Sequence, residues 1–596
     1  AVTYSTAFSD SVGNVGAAVT SGTGSVAVTQ DTVAPTVSSV GVSSNNRTVT
    51  VTFSEAVYNT NGGIGELEIG DFTLSILGGV ATIGSATPTS ITKTSQSIWV
   101  LGFSISGTAN GSEILTLAPI VNSVYDAAGN VVTVANSTVN LTEKVAPTLS
   151  GVSIASNNAT TTEGFADDVV TLTFTASETI TTPVVTFKSG NADIANTTIT
   201  YANTSGNTWT AAYTVSADDT QGAVTYSIAY TADSTGNAGT AVTSGTGSVT
   251  IYPTPAVAFA AQLTDINAKI ASFAQAELNN LSSTMSGISS SARSRFISKS
   301  SCSDLEVSST DPDYSGGVTA SGSTIATNLS MTKSSKSYSS EYCTYTSADV
   351  FFNRNEDNSF SRGAAGQIQF ERSLNDKTML GYFVGGSVGL MNEGGTLTTS
   401  MEAVGIKLGS YFVRELDGNL ILDGYASVVT SSNNLRFTTD LMTAKSNYNT
   451  QAGAMGLNLT GIIPLASMEI RPTGSLSLTR SIGQTVNFDV TVGSASSTET
   501  ATHGSITQSK LSFAPEVRMP FSQTSFGGSS VATFTPKVTC QEVSKTTTTR
   551  NCGQGIALGM DTISKDGLTN VIVGTSFDQM GGQSSTSIDF KVMKQW

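Results

Sequence analysis

Histidine is almost missing from this 596-residue chain, which has one, and cysteine is sparse, with four. Zinc sites and Ser-His hydrolysis therefore have few residues to run on. Charge is thin as well, since Asp, Glu, Lys and Arg make up only 12%, about half the share of an ordinary soluble domain. The balance is acidic, 28 Lys and Arg against 44 Asp and Glu for a net −16. That excludes a sequence-independent nucleic-acid binder, because neutralising phosphates needs a basic surface. No apolar run approaches the roughly 18 residues of a membrane-spanning helix, the longest candidate being 256–261. Any span must then be a closed β-barrel. Prolines number 13, and short Val, Ile, Thr and Phe runs recur, which argues against disorder and for a β fold.

What fills the chain is repetitive. Ala18–Val26 reads AVTSGTGSV, and so does Ala241–Val249, 223 residues later. Val33-Ala34-Pro35-Thr36 returns as Val145-Ala146-Pro147-Thr148 after 112 residues, half that spacing, so the unit is one domain long. Asp-x-x-Gly-Asn marks each unit once, at Asp10, Asp126 and Asp233. Alternating runs such as Thr48–Phe53 and Val169–Phe174, bounded by Asn, Gly and Ser turns, predict β-sandwiches. The expected order is the end of a truncated repeat over 1–33, then whole repeats over 34–144 and 145–254.

After Pro253 and Pro255 the rhythm changes. Phe259, Leu263, Ile266, Ile270 and Phe273, then after a one-residue slip Leu278, Leu281, Met285 and Ile288, step by three and four, which predicts one long amphipathic helix over 255–298. A Ser-rich connector is expected over 299–342. From 343 to the end, runs of ten or more residues alternate large apolar with small or polar positions. Leu380, Tyr382, Val384 and Val388 stand against Gly381, Gly385, Ser387 and Gly389, and Val404, Ile406 and Leu408 against Ala403, Gly405 and Lys407. This is the pattern of a transmembrane barrel with one face toward lipid. Twelve such runs are counted, with 480–507 able to hide a further pair. The predicted class is all-β with one long helix: tandem sandwiches, then a 12-stranded antiparallel barrel with the helix in its lumen. Cys540 and Cys552 bracket the outward loop 541–551 and are expected to bridge its base, which leaves Cys302 and Cys343 as the second pair.

The linker Val-Ala-Pro-Thr followed by a strand ending Phe53-Ser54-Glu55 resembles the immunoglobulin-like repeats of bacterial surface adhesins. Repeats, helix and a barrel ending in an aromatic residue together resemble a type V autotransporter of its monomeric branch. The last strand, with Ile588, Phe590, Val592 and Trp596 on one face, is similar to the C-terminal signal that the barrel assembly machinery reads. The resemblance implies a Gram-negative outer membrane, with residues 1–254 at the cell surface as an adhesin or stalk. It implies outer-membrane lipid, the assembly machinery and a surface receptor as partners, and a monomeric barrel without enzymatic activity. An enzymatic passenger lying upstream, or a porin-like channel decorated with sandwiches, is the alternative.

Two sets of site residues follow. Glu277-Leu278-Asn279-Asn280-Leu281 is similar to the Asn-Asn site of self-cleaving autotransporters, where an asparagine side chain attacks its own backbone carbonyl beside acidic barrel-wall groups. The bland reading is two polar residues on the wet face of a lumenal helix. Asp31, Glu55 and Asp126 are expected to converge at one domain junction, and Glu143, Glu178 and Asp233 at the next, as sites for calcium, which prefers several hard oxygen donors. The alternative there is ordinary turn chemistry, with Asp capping its own turn. His503, in a polar segment, reads as surface decoration.

Overall fold

The computed structural model describes residues 3–22, 29–232, 236–298, 312–322, 324–336, 342–354, 359–522, 528–545, 547–565 and 569–594. The chain divides into two compact units, Ala1–Ile251 and Tyr252–Trp596.

In the first unit, Thr48–Phe53 buries Val49, Val51 and Phe53 and turns its threonines outward, as a two-residue side-chain period dictates for a strand with one covered face. It is the second strand of a sheet ordered Val37–Val42, Thr48–Phe53, Ile98–Gly102, Ser90–Ser95. A smaller sheet of Phe72–Leu77, Ile114–Pro119 and Ser137–Asn140 shares its core, where Trp99, Phe72 and Leu115 are buried together. The same construction follows over 149–251. Leu149–Ser156, Val169–Ala176, Thr208–Thr214 and Thr200–Ser205 form one sheet, and a second, five-stranded sheet includes Gly222–Ala229 and Val184–Ser189. Leu172, Phe174, Phe187 and Tyr213 fill the space between them, with the Phe187 and Tyr213 rings 4.9 Å apart.

The second unit opens with the helix Pro255–Ile297, capped by Thr254, whose side chain accepts from the Val257 N–H, and entered through proline at its first turn. Its buried residues include Phe259, Ile266, Ile270, Phe273, Leu278, Leu281, Met285 and Ile288, the apolar stripe expected from the sequence. No described helix is long and apolar enough to cross a membrane.

The barrel is closed and antiparallel, with fourteen strands rather than twelve. They run Asp313–Ser321, Thr324–Lys336, Cys343–Arg354, Phe360–Asn375, Thr378–Glu393, Thr398–Asp417, Leu420–Thr438, Thr443–Gly461, Glu469–Ser481, Ile506–Ser522, Ser529–Ser544, Thr548–Ile563, Thr569–Met580 and Gln583–Lys594. The twelve expected runs all fall on the third to fourteenth. The first two come out of the stretch read as a Ser-rich connector, so the barrel begins at Asp313 and not at 343. Their outward residues Tyr314, Val318, Ile325, Leu329 and Met331 are exposed, but Gly316 and Thr327 interrupt the apolar face and hide the alternation. Closure pairs Tyr314 with Val592 through to Ser321 with Ser585.

Elsewhere the outward side chains form the band a bilayer requires: Val404, Ile406 and Leu408 are each more than half exposed. Several connections expected as loops are strand. Thr398–Asp417 has 20 residues and Leu420–Thr438 has 19, where about 9–11 suffice to span. The surplus projects beyond the apolar band. The 480–507 segment does hold a strand pair, but not in the wall. Gln484–Val492 and Ala495–His503 form a hairpin between the ninth and tenth strands, which pair directly with each other.

Candidate functional site

Inside the barrel the helix is held by charge at the level where the wall is polar. In a strand with its even positions in lipid, the odd ones face the lumen, and there Asp423 is fully buried. Its carboxylate accepts from Arg293 Nη1 at 2.9 Å, from Asn458 Nδ2 at 2.7 Å and from Ser289 Oγ. Two residues further along the helix, Arg295 makes a two-pronged pair with Glu371, Nη2 to Oε2 at 2.6 Å and Nε to Oε1 at 3.3 Å. The Tyr411 hydroxyl donates to the same carboxylate at 3.0 Å, and the Arg295 guanidinium lies 4.1 Å from the Tyr345 ring centre. Farther back, Glu277 of the helix accepts from Ser431 and Thr450, and Lys269 pairs with Glu393. Between these polar anchors Leu278, Leu281, Met285 and Ile288 pack on Met379, Phe383, Tyr411 and Tyr425. A buried charge is tolerated only when paired and hydrogen-bonded, and each of the wall carboxylates Glu371, Asp423 and Glu393 has its partner on the helix.

The earlier part of the helix meets different surroundings. On the strand Leu420–Thr438 the inward positions change from Ser431 and Asn433 to Leu435 and Phe437, both fully buried. There the inserted hairpin lies against the extended strands, Asp489–Thr491 pairing with Thr443–Lys445. Its inward face, Val486, Phe488, Val490 and Val492, is buried. The Phe488 ring lies 5.5 Å from Phe259 of the helix and 5.7 Å from Phe437 of the wall. The hairpin is an apolar clasp on the helix, and Thr502 N–H donates to Asn267 Oδ1 beside it at 3.0 Å. His503, expected on the surface, is 4% exposed at the end of this hairpin, its Nδ1 3.1 Å from the Gly504 carbonyl oxygen.

Asn279 and Asn280 are exposed to the lumenal space, and Asn279 Oδ1 accepts from Gln275 Nε2 at 3.3 Å. The wall carboxylates that reach the helix, Glu371, Asp423 and Glu393, do so at Arg295, at Ser289 and Arg293, and at Lys269, all more than two turns from the Asn pair. Asp349, Glu516 and Asp561 line the same lumenal space as the Asn pair.

Of the expected disulfides, Cys540–Cys552 is formed, with Cα atoms 4.0 Å apart. It joins cross-strand partners rather than a loop base, because the strands continue to Ser544 and from Thr548. Cys343 is disulfide-bonded; Cys302 lies outside the described residues. In the terminal strand Ile588 and Phe590 face outward at 60% and 45% exposure, and Val592 shares their parity. Trp596 lies outside the described residues.

In the first unit Asp31, Glu55 and Asp126 do converge, each offering a carboxylate oxygen within 4.8 Å of the others. The Asp-x-x-Gly-Asn motif builds the junction. Asp126 accepts from the Asn130 N–H at 2.8 Å and from Asn130 Nδ2 at 2.7 Å, and that amide also donates to the linker carbonyls of Asp31 and Val33. Asp10 and Asn14 repeat the turn, so turn chemistry and convergence coexist. Desolvation, then the charges of Asp126 and Asp31, push the Glu55 carboxyl up from its ordinary value. At the next junction Asn237 holds Glu143, donating to its carboxylate and its carbonyl. Asp233 lies outside the described residues, so the second triad is not seen assembled.

A family model of the autotransporter β-domain matches residues 345–525. Among solved structures the chain is similar to the β-domain of the Bordetella autotransporter BrkA, at 11% identity over 48% of this chain and 99% of that one, with a TM-score of 0.32. It is similar also to the translocator domain of the autotransporter NalP from Neisseria meningitidis, at 12% identity over 52% and 96%, TM-score 0.29. The toluene transporter TodX of Pseudomonas putida matches at 9% over 47% and 87%, TM-score 0.29. No curated protein matches the sequence.

Proposed function

We propose that this chain, a type V autotransporter by its C-terminal outer-membrane β-domain, anchors and exports its own tandem sandwiches as an adhesin or stalk. The observation that carries this reading is the helix itself. It follows directly from the second sandwich, whose last strand ends at Ile251, and it is bonded to the lumen wall at Glu371 and Asp423. A chain tethered through the barrel in that way leaves residues 1–254 on the outer side as an immunoglobulin-like passenger. The test is antibody raised against residues 34–254 on intact cells: staining that external protease removes is expected, and staining only after permeabilisation overturns the proposal.

Calcium belongs to the same reading. The Asp31, Glu55 and Asp126 oxygens are a hard donor set of three carboxylates, and with both Asp126 oxygens already accepting from Asn130 they suit a weak, extracellular-type site completed by water. A bound cation would cancel the repulsion among the three and stiffen the linker between repeats. Millimolar calcium should raise the melting temperature of the first sandwich in the full-length protein, and Glu55→Gln should remove most of the rise. Identical melts in calcium and in chelator would leave the triad as turn residues.

A further inference from the structure

We propose that the second sandwich is a load-bearing link, built to resist force applied along the chain. Its entry and its closing segment run side by side in the same direction: Ser153 is bridged in parallel to Thr246, and Glu163 and Gly164 pair in parallel with Thr250 and Ile251. The chain enters at the start of Leu149–Ser156 and leaves beyond Ile251. Tension therefore draws the two segments past each other along their axes, and the bonds between them are loaded together in shear. Terminal strands paired antiparallel would instead peel apart one bond at a time.

The seam is made by the nonapeptide 241–249, a repeated sequence that surface display alone does not account for. At its Gly245-Thr246-Gly247 core the Thr246 N–H and hydroxyl donate to the Val152 carbonyl at 2.9 and 3.2 Å, and the Thr246 carbonyl accepts from the Ile154 N–H at 3.0 Å. Further along, the Thr250 N–H donates to the Thr162 carbonyl at 2.9 Å. Glycine on both sides of Thr246 permits this approach. A Cβ at 245 would collide with the Val152 carbonyl oxygen, and one at 247, where φ is +79°, with that of Ile154. Val152, Ile154, Val249 and Ile251 root the same two segments in the core. The first sandwich is closed otherwise: Ser137–Asn140 pairs antiparallel with Ile114–Pro119, and among the described residues it has no backbone pairing with Val37–Val42. Tyr252, Pro253 and Thr254 alone separate Ile251 from the helix, so a pull on an anchored passenger reaches the seam directly. That load rests on the display proposed above; the resistance belongs to the purified chain and is measured without cells, so either can fail alone.

The test holds the full-length protein by its barrel in lipid and pulls it from the N-terminus with optical tweezers. Oxidising the double variant Ser153→Cys, Thr246→Cys should remove one sandwich-sized unfolding event and reduction should restore it, which identifies the second sandwich. Gly247→Ala opens the seam. Gly206→Ala is its control, straining a left-handed turn of the same sandwich at φ +55° with nothing near the added Cβ. Both should lower the melting temperature. At fixed load the second sandwich should unfold about tenfold faster in Gly247→Ala, roughly the factor for one hydrogen bond that breaks at the barrier, and at nearly the parent's rate in Gly206→Ala. Equal rates in the parent and Gly247→Ala overturn the proposal. So does an equal acceleration in Gly206→Ala, or an unfolding event that the oxidised cysteine pair leaves unchanged.

Discussion

Glu371 and Asp423 show what a single side chain contributes in this lumen. Glu371 is nearly inaccessible, and Arg295 is its counter-ion. Removing the cation strands a buried carboxylate, which costs about 3–5 kcal/mol. Arg295→Met should therefore lower the melting temperature of the folded barrel, and adding Glu371→Gln in the same chain should restore part of it. A double-mutant cycle on heat-induced mobility shifts measures the coupling, and a silent Arg295→Met would show that the pair does not secure the helix. Neither partner could be paired from sequence. A charge at a lumen-facing position signals a partner, but which one depends on a register set by contacts 76 and 130 residues apart in the chain. Asp31, Glu55 and Asp126 were legible because the repeat places each on a loop at the same end of its sandwich. Their titration gives a second prediction. With its carboxyl pushed up in the folded state, Glu55 holds its proton more tightly there than in the unfolded chain. It thus contributes stability fully present below about 4.5 that is lost as pH rises through the raised value. In chelator, denaturation followed through the buried Trp99 should lose stability over that window, and Glu55→Gln should flatten the loss.

Among the elements, the helix was readable nearly to the residue, since its apolar stripe has only one period that fits and Thr254 and Pro255 mark its start. The hairpin was not. Val486, Phe488, Val490 and Val492 alternate as a lipid-facing strand would, and only the direct pairing of Glu469–Ser481 with Ile506–Ser522 shows that these residues leave the wall. Alternation reports one covered face without saying whether lipid or a helix covers it. The hairpin's apolar face is spent on Phe259, so Phe488→Ala should cost about 3–5 kcal/mol. That loss falls on the clasp and not on the barrel. Limited proteolysis should cut the helix near 259–266 in the variant while the heat-modifiable barrel band persists; an equally resistant helix would mean the extended strands alone suffice.

At the scale of the whole molecule, closure decides the outcome, because a barrel is the one sheet without edges. Twelve strands were legible and two were not, their apolar faces being too interrupted to count. Closure also puts the last strand under a double demand. Gln583–Lys594 must pair with Thr569–Met580 on one side and with Asp313–Ser321 on the other, while Ile588 and Phe590 face the bilayer. The strand that completes the ring is therefore the one whose outward residues matter to assembly as well as to stability. Phe590 is paired with Gly316 and Val573, and an arginine in its place sets a charge in hydrocarbon at about 2–4 kcal/mol if near the midplane. A destabilisation of that size at an internal strand would be shared by a wall already closed on both sides. At the closing strand it acts before the ring exists. Phe590→Arg should accordingly reduce folded barrel in outer membranes more than Leu408→Arg, a lipid-facing change on an internal strand at a somewhat more exposed position. Equal yields of heat-modifiable protein from the two variants would show that the last strand carries no assembly role beyond its share of the lipid face.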